Sequence, residues 1–206
     1  MSTSCHDPYA DLPDDVDPSA RPLGQVPTTG RGSMPFATLD GEPLVALASF
    51  ALEDAGAELL DFTTGFAAVR SSERPLVLHD PLCPLTPIPF LRKAIALAVE
   101  DDVVVVGVQP VTDTIKTAPG GVVGETVDRD ALWTVTSPVV LPAAVVAGLD
   151  DWPDTDDLVA LVTRLRERVE VRFLESPALA RRVEDESSLK LLEALAVGEN
   201  PQPAQG

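Results

Sequence analysis

The run DVVVVGVQP (102–110) constrains the fold more than any other stretch of the chain. It is β-branched and too short for anything but a strand. It follows TPIPFLRKAIALAVED (86–101), which reads as a helix starting from Thr86. The same alternation recurs on both sides. PLVALASFALEDAGA (43–57) has apolar residues at helical spacing behind a Pro suited to a first turn, and RPLVLHD (74–80) reads as a short buried strand. Further on, LPAAVVAGL (141–149), DDLVALVTRLRERVE (156–170) and SSLKLLEALA (187–196) read as helices, with VRFLES (171–176) between the last two. Strands separated by helices predict an α/β sandwich with a largely parallel sheet, whose binding crevice lies at the C-terminal ends of the strands.

With 206 residues, 45% of them hydrophobic, the chain can bury a core and fits one domain better than two. Only 4% are aromatic, so that core must be mostly Val, Leu and Ala. The domain is expected over 25–197. Residues 1–24, rich in Asp, Pro and Ser, read as a disordered acidic tail, and 198–206 as a second frayed tail. A formal charge of −18, from 33 acidic and 15 basic residues, repels polyanions and argues against nucleic acid or an anionic membrane surface as partner. No run approaches the ~20 apolar residues of a membrane span, and no signal-peptide pattern opens the chain. Cys5 and Cys83 suggest neither a disulfide framework nor a Cys-rich metal site, so the expected compartment is the reducing cytoplasm.

Two places carry candidate chemistry. His79 and Asp80 end the strand RPLVLHD, where side chains reach the crevice and a carboxylate can hold a divalent cation that bridges phosphates. The alternative is that Asp80 caps a turn before Pro81 while His79 hydrogen-bonds in the core. The second place is 110–138, where strand-like runs flank Pro119-Gly120-Gly121, a turn signal, and predict a hairpin. On its first strand Thr112, Thr114 and Lys116 share one face, so a hydroxyl and an ammonium stand together where a phosphate could sit. Arg164, Arg166 and Arg168 read as a solvated helix face, Asp156 and Asp157 as first-turn acids favouring the helix dipole, and Trp133 and Trp152 as packing residues.

The segments LVLHDPLCPLTP, PVTDTIK, ETVDRDALWTVTSP and TDDLVALV occur in an order and spacing that resembles the methylerythritol phosphate cytidylyltransferases of the non-mevalonate isoprenoid pathway. Those proteins carry H-D-A-A-R-P, P-x-x-D-T-I-K, T-V-D-R-x-x-L-W-x-x-Q-T-P and T-D-D. The resemblance runs from about residue 25 to 196 and is most specific in the middle third. It implies a Rossmann-like nucleotidyltransferase with a protruding β-arm that joins a homodimer or heterodimer. It also implies CTP and methylerythritol phosphate as substrates and Mg²⁺ as cofactor. By the match, Thr114 and Arg129, with Lys116 beside them, bind the substrate phosphate in the partner's site. Gly30, Gly32 and Asp80 serve the nucleotide, and Asp80 the metal.

Departures from the pattern touch named functions. The family's glycine loop, P-A-A-G-x-G-x-R followed by P-K, cradles the triphosphate and stabilises charge in the transition state. In VPTTGRGSMPF (26–36) Met34 stands where that Arg belongs, and Phe36 follows Pro35 in place of the Lys. Arg31 is the candidate substitute. The late I-K-V-T reads RRVED, which leaves Arg182 as its cation and Glu184 in place of Thr, and the Arg of H-D-A-A-R-P is Cys83. Between 58 and 77 no G-G pair and no Ser-Val helix is visible, Val69 to Ser72 being a remnant at best. Loss of one transition-state donor costs on the order of 10²–10³ in rate. Weak or lost cytidylyl transfer is therefore expected. The alternatives are a non-catalytic dimerisation partner of a true cytidylyltransferase and a related nucleotidyltransferase with another substrate. An active enzyme requires Arg31 and Arg182 to converge on Asp80.

Overall fold

In the computed structural model, which describes residues 21–111 and 132–199, the β-branched run forms the strand β6 (Val104–Pro110). Val104, Val105, Val106 and Val108 are all buried, so both faces of β6 are covered. The six-stranded sheet has the order β4-β1-β5-β7-β6-β8, with β1 Leu23–Gln25, β4 Glu58–Leu59, β5 Leu76–Leu78, β7 Trp133–Leu141 and β8 Val171–Glu175. Every strand runs the same way except β7, which is antiparallel to both β5 and β6. A small antiparallel pair, β2 (Thr38–Leu39) and β3 (Glu42–Pro43), lies outside this sheet.

Helices cover both faces, as strands that are apolar at nearly every position require. One face carries Leu76, Leu78, Val104, Val106, Val139 and Leu141 against α2 (Phe66–Ser71), α4 (Ala143–Ala147) and α5 (Leu158–Arg166), with Phe66, Val69, Val146, Leu161, Val162 and Leu165 as their contributions. The other face packs Val77, Val105 and Val140 against Leu52 of α1 (Leu44–Asp54) and Ala94 and Ala98 of α3 (Ile88–Asp101). Alanines in α3 let that helix lie close to the sheet. Both α1 and α3 start directly behind a proline, Pro43 and Pro87, where the missing N–H costs nothing. A third cluster is separate from the two that cover the sheet faces: Leu39, Leu44, Leu82, Val183, Leu189 and Leu192, joined by the partly buried Met34 and Leu179. It fastens α6 (Glu186–Glu199) over the loop that follows β1.

Several expectations change. β1 starts at Leu23, with Pro22, Leu23 and Gly24 buried, so the last residues assigned to the acidic tail are sheet interior. Gly24 is required there because a Cβ would lie 2.8 Å from Leu52 Cδ2. The remainder of that tail, 1–20, and residues 200–206 lie outside the described residues, while α6 runs to Glu199. The stretch 58–77 holds a short strand, β4, and a short helix, α2, where only a remnant was expected. Trp152 packs on Phe66 with ring centroids 5.3 Å apart, but Trp133 is 46% exposed. The predicted arm, with Thr112, Thr114, Lys116 and Arg129, falls in 112–131, outside the described residues; at its base the β6–β7 ladder pairs Pro110 with Trp133, and Val111 N–H donates to Leu132 O at 3.2 Å.

Candidate functional site

β5 ends at Leu78, and the next two residues, His79 and Asp80, meet β7 at Ser137. Gly107 makes this meeting possible: β6 bulges between Val106 and Val108, and a Cβ at Gly107 would lie 2.6 Å from Ser137 O. Ser137 Oγ stands 2.5 Å from His79 Nδ1 and accepts the Asp80 backbone N–H at 3.0 Å. His79 is fully buried, and its Nε2 has no protein partner. Burial pulls its pKa down to about 4, against the opposing pull of the neighbouring Asp80 carboxylate, so the ring is neutral at pH 7. The expectation that left open a core hydrogen bond for His79 describes its place.

Asp80 is the centre of the site. Oδ1 accepts from Arg31 Nε at 2.8 Å and from the Leu82 backbone N–H at 3.0 Å, while Oδ2 accepts from Arg182 Nε at 3.2 Å. Burial works to raise the Asp80 carboxyl, but the Arg31 hydrogen bond and charge, the Leu82 N–H and the Arg182 charge together hold it below the usual carboxylate range. Cys83, fully buried nearby, has its thiol pushed up by burial and by the Asp80 charge. Cys83 therefore stands as a protonated thiol at neutral pH.

Arg31 reaches Asp80 because glycines flank it. Gly30 (φ 73°) and Gly32 (φ 58°) take left-handed backbone, turning the loop so that the arginine points inward. Gly30 also presses on the approach to α5, since a Cβ there would lie 2.9 Å from Asp156 Cγ. The Arg31 guanidinium bonds Thr29 O through Nη1 at 2.7 Å and Thr155 O through Nη2 at 3.0 Å. Its side chain is 2% exposed. Asp156 and Asp157 do not share a first helical turn as expected: Asp157 is the α5 N-cap and accepts from Ala160 N–H at 3.0 Å, while Asp156 precedes it.

Arg182 arrives from the other side, on the segment between β8 and α6. Val183 N–H donates to Leu82 O at 2.7 Å and buries its side chain in the third cluster, which places Arg182 beside Asp80. Its second contact is Glu184, 3.4 Å from Nη1, and its side chain is 32% exposed. Asp185 and Ser188 then cap α6 reciprocally, Asp185 N–H to Ser188 Oγ at 3.0 Å and Ser188 N–H to Asp185 Oδ1 at 2.8 Å.

The structure thus brings Arg31 and Arg182 together on Asp80, between Gly30 and Gly32 on one side and Ser137 on the other. Met34 and Phe36 stay apart from this group. Met34 packs into the third cluster, and Phe36 is 62% exposed. Sequence reading passed over Ser137 and the Thr155 carbonyl. The available signal was position: Ser137 directly precedes Pro138 at the end of a matched motif, and Thr155 opens T-D-D.

A sequence profile of the 2-C-methyl-D-erythritol 4-phosphate cytidylyltransferase family matches residues 39–169. The matched span contains Asp80, Ser137 and Thr155 and excludes both Arg31 and Arg182. The cytidylyltransferase of that name from Geotalea uraniireducens is 30% identical over 115 residues, 52% of this chain and 48% of the relative. That of Symbiobacterium thermophilum is 38% identical over 118 residues, 53% of this chain and 49% of the relative. The chain spans about half the length of the curated relatives it matches. Among solved structures, the cytidylyltransferase from Thermus thermophilus superposes with a TM-score of 0.61 at 23% identity, over 86% of this chain and 98% of that one. The corresponding synthase from Anaerococcus prevotii gives the same TM-score at 12% identity, over 86% and 96%. With the nucleotidyltransferase fold in these structures, and the family's motifs lying along β5, β7 and the approach to α5, the chain belongs to the 2-C-methyl-D-erythritol 4-phosphate cytidylyltransferase family.

Proposed function

We propose that the chain is a divergent member of this family in which cytidylyl transfer from CTP to methylerythritol phosphate is weak or lost. Arg31 and Arg182 do converge on Asp80, as an active enzyme requires, but convergence does not make a guanidinium available to phosphate, and the observation that carries this reading is the state of Arg31. It is the one cation of the glycine loop 26–36, and its guanidinium is buried and engaged by Asp80, Thr29 O and Thr155 O. A cation that stabilises a transferring phosphoryl group must have donors free to face it as charge develops. Met34, set in the third cluster, and Phe36 supply no replacement. Pyrophosphate release from CTP and methylerythritol phosphate tests the reading. The expected result is turnover far below 1 s⁻¹, and a rate of about 1 s⁻¹ or faster, ordinary for an enzyme, rejects it.

A second reading, a non-catalytic dimerisation partner of a true cytidylyltransferase in the same compartment, is favoured by the base of the arm. The β6–β7 ladder continues to Pro110 and Trp133, leaves Trp133 half exposed, and leads into the segment carrying Thr114, Lys116 and Arg129. In this reading those three residues are lent to a phosphate in the partner's site. Hybrid dimers with an active cytidylyltransferase, detected by co-purification, should lose activity on Arg129→Ala. Hybrids insensitive to that change would leave the arm a dimerisation device alone.

A further inference from the structure

The residues around Asp80 do not fit the magnesium ion that the family resemblance implies. Magnesium requires near-octahedral oxygen ligands and retains several of its waters. The Asp80 side chain is 1% exposed, with both oxygens already facing N–H donors. The nearest other carboxylate of the network, Glu184, faces the Arg182 guanidinium. Among the described residues no group of three or more His, Cys, Asp or Glu side chains is placed to hold an ion. A dication brought to Asp80 would also meet two guanidinium groups already there, and like charges at that range repel strongly in a partly dry site.

We propose that Asp80 is the internal anion of a guanidinium latch and not a metal ligand. Arg31 and Arg182 take the place of a divalent cation, one on each carboxylate oxygen. The latch ties together segments far apart in the chain: the bonds to Asp80 span 49 and 102 residues, and the Arg31 bond to Thr155 O spans 124. It thereby joins the glycine loop, the end of β5, the approach to α5 and the segment before α6. The inference goes beyond the functional reading and does not depend on it, because it concerns what Asp80 holds whether or not transfer occurs.

The test is a Mg²⁺ titration of the full chain followed by amide NMR and by thermal unfolding. Leu82 N–H reports directly, since it donates to Asp80 Oδ1. At millimolar Mg²⁺ the amide signals of Asp80 and Leu82 should stay in place and Tm should not change, while Asp80→Asn should lower Tm on the order of 10 °C. Arg182→Ala covers the case in which Asp80→Asn does not fold. It frees Oδ2, so the latch predicts a loss of a few degrees that Mg²⁺ does not restore. A saturable Mg²⁺ shift of both amides in the unmodified protein, or recovery of the Arg182→Ala Tm by Mg²⁺, overturns the proposal. Pyrophosphate release plays no part in these readouts, so its outcome is separate.

Discussion

The glycine loop and the β6–β7 ladder differ in where their polar and aromatic groups go. The loop turns inward: Arg31 is buried with its guanidinium on Asp80, Thr29 O and Thr155 O, and Met34 joins an apolar cluster. The ladder turns outward, extending past the helices to Pro110 and Trp133, both exposed. The family profile covers the ladder and stops short of the loop. The two regions of one fold differ in kind: the loop turns its charge inward onto Asp80, and the ladder ends on exposed residues at Pro110 and Trp133.

Breaking the inward half should have the largest effect. Arg31→Met leaves Asp80 buried with only its weaker guanidinium partner, and loss of about 3–5 kcal/mol is expected in urea unfolding. A loss under about 1 kcal/mol, the value of an exposed pair, would place Arg31 in solvent and erase the contrast.

Next in size is a pH effect from His79. Its folded pKa, about 4, lies below the ordinary 6.5, so between those values the unfolded chain binds the extra proton and stability rises with pH. The contribution is complete above pH 6.5 and is lost as pH falls toward 4. Between pH 7 and pH 5 this amounts to about 2 kcal/mol. Urea unfolding at the two pH values measures it, and His79→Gln should remove this proton-linked slope. Asp80 acts lower, because its depressed pKa supplies stability that is lost only as pH falls below the usual carboxylate range.

Gly30→Ala sharpens the comparison by loading the loop without touching a charge. Positive φ and the closeness of Asp156 predict a loss of about 1–3 kcal/mol. Gly32→Ala shares the φ penalty but has open space, so it should cost less. The smallest effect belongs to the outward half: Trp133→Ser should change stability by no more than about 0.5 kcal/mol. Its effect, if the arm makes a dimer, should appear as a lower mass in light scattering.

Which of these features could be read from sequence follows from their physical range. The run 103–108 and the amphipathic helices α1, α3 and α5 announce themselves because their periodicity is local. The antiparallel course of β7 beside β6 follows from the hairpin predicted over 110–138, but its insertion next to β5 does not, since strand order depends on contacts distant in sequence. Pro22 to Gly24 were assigned to the tail because three residues carry no period, yet neighbours at Glu58 and Leu76 bury them. At the site, Asp80 was found from its place at a strand end, and Arg31 and Arg182 from positions in a known pattern. Their mutual burial was beyond sequence reading. An arginine between two glycines reads as exposed, and the Thr155 carbonyl and the Asp80 carboxylate, both distant in sequence, join the local Thr29 carbonyl to make its interior position tolerable.

The third cluster imposes an order on events at the ribosome. Met34 and Leu44 come from the first part of the chain to be made, but the side chains they pack with include Val183, Leu189 and Leu192 near its end. Domains form from their N-terminus as synthesis proceeds, and contacts distant in sequence come late. The sheet from β1 to β7 can begin to assemble while the glycine loop still lacks its cover. The apolar cover of the loop therefore closes last, when α6 emerges: a chain stalled before Val183 already has Asp80 and the Thr29 and Thr155 carbonyls with which to hold Arg31, but lacks the Val183, Leu189 and Leu192 side chains that pack with Met34 and Leu44.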